Sequence, residues 1–260
     1  MDISVIIVNY KSLNKTLKCL DSLKNADWGA LSKEIIVVDN ASGNGDASAI
    51  AAAHPELKLV VSDRNLGMGG GNNLGVKAAS GRYILILNPD TLIKGDAIVK
   101  MSAYLDSHPD AGIVGPKLLN SDGTLQYSCL RFPKLHTPIL RRTFFGGLAG
   151  RHLNEFLMKD YDHRDPREVD WLMGSCLMVR KLVPEKDGFL FDERFFMYFE
   201  DTDLCRRVKK EHGLKVVYLP SAAVIHDHAR QSAAKAWYIA PFTDNLTREH
   251  LKSWIKYFLK

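Results

Sequence analysis

Apolar residues in the first half of the chain fall alternately into short continuous runs and into helically spaced series. Residues 3–8, Ile-Ser-Val-Ile-Ile-Val, form a nearly unbroken run. That is the pattern of a strand covered on both faces. Leu13, Leu17, Leu20 and Leu23 follow at three- and four-residue intervals and predict a helix. A second strand is expected over residues 34–38, ending at Asp39-Asn40-Ala41-Ser42. Ser42 or Asn44 is placed to cap the Ala-rich helix that follows. A third strand over residues 57–61 leads to a glycine-rich loop and a helix over 72–79. A fourth strand spans 83–87 and another helix 95–107. This alternation predicts an α/β fold with a mostly parallel sheet, and a ligand crevice at the carboxyl ends of the strands.

Periodicity weakens from residue 116 to residue 170. Pro116, Pro133, Pro138, Pro166, Gly146, Gly147 and Gly150 interrupt it, and Arg141, Arg142, Arg151, Arg164 and Arg167 add positive charge. We expect an excursion over the active site, with no core of its own. Regular pattern returns over residues 171–180, then as a helix over 201–212 and a strand over 215–219. In the tail, Leu251, Trp254, Ile255 and Phe258 share one helical face, and Lys252, Lys256 and Lys260 another. Such a helix suits a membrane interface, the protein's own domain or a dimer partner.

Composition narrows the class. Of 260 residues, 46% are hydrophobic and 25% charged, as in an ordinary globular protein with a sizeable core. The formal charge of +5 suits an anionic ligand or a membrane surface. It is too weak and dispersed for nucleic acid. Cys19, Cys129, Cys176 and Cys205 lack CxxC spacing, so buried thiols in a reducing cytoplasm are expected. No basic leader opens the sequence, and no apolar stretch approaches the roughly 20 residues that span a bilayer.

Chemistry concentrates where the apolar runs end. Asn88-Pro89-Asp90 follows one run, and Glu200-Asp201-Thr202-Asp203 follows the aromatic run Phe195-Phe196-Met197-Tyr198-Phe199. Carboxylates in these positions are held by the core and presented to a cleft. One can anchor a metal-bound diphosphate while another deprotonates an acceptor hydroxyl, a pairing that sugar transfer from a nucleotide requires. Asp90 can bind a hard divalent ion, with Asn88 offering an amide oxygen; a solvated turn is the plain alternative. Asp201 is our choice for the base and Glu200 the second choice, against simple capping of a helix by its acids.

Other positions could bind the donor. Asn9 and Tyr10 end the first strand beside Asp39, Asn40 and Ser42. Asp39 can accept the ring N3–H of a pyrimidine and Tyr10 can pack on the base, or Asp39 and Ser42 can cap a helix. The loop from Asp63 through Asn65, Gly67, Gly71, Asn72 and Asn73 can cradle an anion on its amides or serve as a flexible turn. It is neither a Walker loop nor a GxGxxG. Trp171 can stack on a sugar or sit in the core, and Gly174-Ser175 bends the chain beside it. His226 and His228 could reach a metal or diphosphate, or could belong to a polar loop.

Taken in order, these segments resemble the inverting family 2 glycosyltransferases of GT-A fold, in the rhamnosyltransferase-like branch. The resemblance rests on residues 5–10, 37–42, 65–75, 87–90, 171–180 and 196–204. It implies that Asp39 reads a pyrimidine, that Asp90 holds Mg2+ or Mn2+ on the donor diphosphate, and that Asp201 is the base. Asn88, His228 and Asp90 are the metal candidates, and Trp171, Gly174, Ser175 and Asp203 the acceptor candidates. It further implies dTDP-L-rhamnose as donor, with UDP- or GDP-sugars as alternatives, and a saccharide or lipid-linked saccharide as acceptor. Residues 1–115 would be a Rossmann-like nucleotide-sugar half, 116–235 the acceptor and catalytic half of the same domain, and 236–260 an amphipathic tail. A nucleotidyltransferase acting on a sugar phosphate and a non-catalytic sugar-nucleotide binder are the rival readings.

Overall fold

The fold is described from a computed structural model, over residues 1–142, 149–181, 189–227 and 244–260. Its first elements are β1 (Ile3–Asn9), α1 (Leu13–Lys24), β2 (Lys33–Asp39), α2 (Asp46–Ala53), β3 (Lys58–Val61) and α3 (Gly67–Ala78). They lead to β4 (Tyr83–Leu87), β5 (Thr91–Ile93), α4 (Ala97–Ser107) and β6 (Ala111–Leu119). Short pieces follow: β7 (Leu125–Gln126), β8 (Cys129–Leu130), α5 (Thr137–Arg142), α6 (Gly150–Phe156), β9 (Arg167–Glu168) and β10 (Trp171–Leu172). The chain then forms β11 (Cys176–Arg180), α7 (Glu200–Glu211), β12 (Lys215–His226) and the C-terminal helix α8 (Asn245–Leu259).

One sheet organises these elements, in the order β3-β2-β1-β4-β11-β6-β12-β5. The four strands β3, β2, β1 and β4 are parallel, as the sequence predicts. β11 enters antiparallel between β4 and β6, so the sheet is mixed. Because a strand from the second half sits inside the sheet of the first, the two halves share one sheet. The break anticipated at residue 116 falls within β6. Pro116 lies opposite Leu219, next to a register shift on β12. A proline is tolerated at such a bulge because the ladder is already interrupted there. The same irregularity carries β12 past Pro220 to His226, well beyond the expected end at residue 219.

Side chains alternate between two buried faces. Ile3, Val5 and Ile7 of β1 meet Leu20 and Leu23 of α1 and Met101 and Leu105 of α4. Ile6, Ile84 and Ile86 meet Val76 of α3 and Leu204 and Val208 of α7 on the other face. The irregular region contributes to that second core through Cys129, Met158 and Tyr161. All four cysteines are buried and unbridged, which fits their apolar settings.

Two helix starts differ from expectation. Gly45, in a left-handed conformation with φ 80°, precedes α2, and no side chain caps that helix. Ser42 is turned instead toward Asn9 and the Lys11 amide. The glycine run is not a loop but the first turns of α3, from Gly67. A Cβ on Gly67 would stand 2.0 Å from the Phe196 carbonyl oxygen, and Gly67 has φ +74°. A Cβ on Gly71 would meet Val8 at 2.9 Å, and one on Gly75 would meet Ile6 at 2.4 Å. These glycines let α3 lie close against the sheet and the 190s segment.

Among the described residues, no helix is long and apolar enough to cross a membrane. α8 packs on the domain: Tyr257 is buried with Phe195 and Phe199, and Trp254, Phe258 and Tyr198 close around them. Ile255, expected on the packed face, is 52% exposed.

Candidate active site

The carboxyl ends of β1 and β2 lie side by side, with Asn9 opposite Asp39 in the register. Asn9 is buried, and its amide nitrogen donates to Asp39 Oδ1 at 2.9 Å, Ser42 Oγ at 2.8 Å and Asp46 Oδ2 at 3.0 Å. Its carbonyl oxygen accepts from Thr16 at 2.7 Å and Ser12 at 3.1 Å. Asn9 is therefore fully engaged within the protein, where it braces this strand end. Asn40 is likewise spent on Asn65, the Gly67 carbonyl and the Leu66 amide, each 2.9–3.0 Å away. Asp39 keeps lone pairs to spare, and Tyr10 stands 41% exposed at the same strand end.

Two amides at the start of the glycine segment are taken up within the protein. The Met68 amide donates to the Phe196 carbonyl at 2.8 Å and the Gly67 amide to Asn65 Oδ1 at 2.9 Å. Gly71 is packed against Val8. The Asn72 side-chain amide donates to the Met68 carbonyl of its own helix at 2.9 Å. Asn73, buried, accepts from the Leu190 and Phe191 amides and donates to the Phe191 carbonyl. Gly67 and Asn73 thus dock α3 on the segment before α7, Gly71 sets α3 against β1, and Asn72 is engaged within α3.

Asn88-Pro89-Asp90 leaves the end of β4 as a tight turn, closed by the Thr91 amide on the Asn88 carbonyl at 3.1 Å. The Asn88 amide donates to the Ser175 carbonyl at 2.9 Å, and the Asp227 amide to the Asp90 carbonyl at 2.8 Å. The Asp90 carboxylate lies 3.4 Å from Lys15 Nζ and 3.4 Å from His226 Nε2. Burial pushes its pKa up, but His226 and Lys15 together outweigh burial and hold it below the usual carboxylate range. His226 is itself buried, with Nδ1 3.0 Å from Gln126 Oε1. His226 is thus brought to Asp90; His228 lies outside the described residues. Lys15 carries no sequence signature, and only the fold brings it to an aspartate far along the chain.

Among the described residues no three His, Cys, Asp or Glu side chains gather into a site built from protein alone. Asn88 Oδ1 is buried without a hydrogen-bond partner beside the Asp90 turn. One carboxylate and one unused amide oxygen fit a hard cation that takes most of its ligands from phosphate and water.

The second acidic cluster opens α7. Phe199, in a left-handed conformation, precedes the helix, and its carbonyl receives the Asp203 amide at 2.8 Å. Asp201 Oδ1 accepts from the Thr202 amide at 2.7 Å and the Thr202 hydroxyl at 3.2 Å. Asp201 Oδ2 accepts from the Gly174 amide at 2.9 Å and retains a second lone pair. Glu200 Oε2 is buried without a partner, and burial, with the Asp201 charge next, raises that carboxyl to about 8. Asp201 is raised as well, again chiefly by burial, against the pull of its amide donors. The Gly174-Ser175 turn therefore touches both clusters: its Gly174 amide holds Asp201 and its Ser175 carbonyl holds Asn88.

Two acceptor candidates are engaged within the protein. Asp203 is fully buried and pairs with Arg207 at 2.9 Å, Arg206 at 3.0 Å and Lys260 at 2.9 Å. It is unavailable to a sugar. Trp171 spends its indole N–H on the Arg131 carbonyl at 2.8 Å and leans on Phe156.

Comparison with known proteins gives this crevice a class. Residues 4–182 match the Glycosyl transferase family 2 profile. The chain is 29% identical over 239 residues to the N-acetylglucosaminyl-diphospho-decaprenol L-rhamnosyltransferase of Mycobacterium tuberculosis, covering 88% of this chain and 76% of that protein. It is 30% identical over 206 residues to the rhamnosyltransferase WbbL of Escherichia coli, covering 75% and 70% respectively. In fold it is similar to the mannosyltransferase PcManGT from Pyrobaculum calidifontis in complex with GDP-Man and Mn2+. That match has a TM-score of 0.64 at 18% identity over 99% of this chain and 64% of that one. The S. aureus TarS 1–349 complex with UDP gives a TM-score of 0.58 at 19% identity, over 86% of this chain and 60% of that one. The architecture is that of the GT-A glycosyltransferases. The chain belongs to glycosyl transferase family 2 and is a glycosyltransferase.

Proposed function

We propose that this enzyme transfers L-rhamnose from dTDP-L-rhamnose, with inversion, to a hydroxyl of a lipid-linked saccharide at the cytoplasmic face of a membrane. The two rhamnosyltransferase relatives support the sugar, and the printed name of the mycobacterial one supports the acceptor class. The observation that carries the mechanism is the shared turn: Gly174 and Ser175 bind the ends of both acidic clusters. One crevice can then serve leaving group and nucleophile together.

In this reading Asp39 accepts the pyrimidine N3–H and Tyr10 covers the base. Asp90, with the Asn88 oxygen, would hold Mg2+ or Mn2+, which when bound would offset the charge of the donor diphosphate. Lys15 adds a protein cation at the same place. Asp201 takes the acceptor proton on the open lone pair of Oδ2, while Gly174 and Thr202 fix its orientation. The acceptor oxygen attacks the anomeric carbon opposite the diphosphate, so the configuration inverts. Glu200, kept neutral by burial, does not compete as the base at neutral pH.

The test is release of nucleoside diphosphate from dTDP-, UDP- and GDP-sugars, with and without Mn2+ or Mg2+. Metal-dependent dTDP release from dTDP-L-rhamnose is expected. Preference for a UDP- or GDP-sugar would overturn the donor assignment. Failure to bind any of these nucleotides in thermal-shift titration would overturn the whole reading.

A further inference from the structure

Two adjacent bulky residues directly before the acidic pair, Tyr198 and Phe199, both hold φ at +67°. Non-glycine residues resist this conformation, so the surrounding structure must impose it. On one side α3 does so, through the Met68 amide on the Phe196 carbonyl and the Asn73 side chain on residues 190 and 191. On the other side stands α8. The buried Ser253 hydroxyl donates to the Met197 carbonyl at 2.8 Å, and Lys256 Nζ to the Arg194 carbonyl at 2.6 Å. The His250 ring lies 4.9 Å from Tyr198 and 5.4 Å from Phe199, and Tyr257 lies 5.2 Å from Phe199.

We infer that α8 is the positioning element of the general base, acting through Ser253 and His250 on the strained arch formed by residues 195–199. The inference rests on the proposed role of Asp201. The apolar contacts of α8 form a cluster apart from the two cores of the sheet, and two of its polar contacts, from Ser253 and Lys256, fall on carbonyls in or next to this segment, while Trp254 donates to the Leu135 carbonyl and Lys260 binds Asp192 and Asp203. The first turn of α7 hangs from the same arch, since the Asp203 amide binds the Phe199 carbonyl. If the arch relaxes, Asp201 turns away from the Gly174 amide. Both the arch and α8 lie beyond residues 4–182, so the family match does not describe this arrangement.

The experiment compares Ser253→Ala and His250→Ala with Ile255→Ala, a control on the exposed face of α8. Amide hydrogen exchange is followed over residues 195–203 and 83–90, beside dTDP-L-rhamnose hydrolysis and dTDP binding. Both variants are expected to exchange faster in 195–203 alone. Hydrolytic turnover should fall roughly fivefold or more, because small displacements of a reacting group are costly, while KM and dTDP affinity hold. Unchanged exchange over 195–203 would overturn the inference. So would an equal rise over 83–90, or a loss of turnover no greater than in the control. If the wild type binds none of the nucleotides, the donor assignment fails while the exchange comparison still decides the role of α8.

Discussion

The Gly174 amide donates to Asp201 Oδ2 at 2.9 Å, joining a bend between two strands to the first turn of a helix. A Cβ on Gly174 would stand 3.2 Å from Asp201 Cβ and 3.4 Å from Oδ2. Gly174→Ala should therefore push the carboxylate aside without disturbing the nucleotide end of the crevice. Turnover is expected to fall roughly tenfold, with nucleotide affinity unchanged in a titration. An equal loss of both would place Gly174 in the donor site instead.

The buried Glu200 carboxyl should give the enzyme a pH-dependent stability. Its carboxyl is raised from 4.5 to about 8, so the folded protein holds a proton that the unfolded chain releases. That contribution is fully present below the unfolded value and is lost as pH rises through the folded one. Thermal melts of the wild type should drop across about pH 5 to 9, and Glu200→Gln should reduce the drop, leaving the part that Asp201 contributes. Parallel curves for the two proteins would show that Glu200 is ionised throughout.

Asp203 tests structure against chemistry. Its carboxylate compensates the buried Arg207 and binds Lys260 at the end of α8. Asp203→Ala leaves Arg207 buried without that partner and should cost about 3–5 kcal/mol in denaturant unfolding. An unchanged unfolding midpoint with weakened acceptor use would restore Asp203 to the acceptor site.

Much of this was legible in the chain. β1, β2 and β4 were readable because helices cover both faces, which makes the runs continuous, and α1 because its leucines follow one stripe. The carboxylates at the ends of apolar runs were readable for the same reason. The glycine run of α3 was misread as a loop because its constraint comes from Phe196, Val8 and Ile6 rather than from its neighbours. Pro116 looked like the end of order, yet a bulge on β12 accommodates it within a strand. Lys15 and His226 reach Asp90 only through the strand order. Asn9, Asn40 and Asn73 looked like ligands, since a polar side chain at a strand end reads the same whether it faces a substrate or braces a loop.

In the proposed mechanism the two acidic clusters divide the work, Asp90 on the donor and Asp201 on the acceptor proton. The most direct test is Asp201→Asn, measured for turnover and for affinity toward the nucleoside diphosphate that the wild type releases. Turnover should fall by about 10²–10⁴-fold, the usual worth of one general base, with metal-dependent nucleotide affinity intact. Retained turnover, or a loss of affinity as large as the loss of rate, would contradict the account.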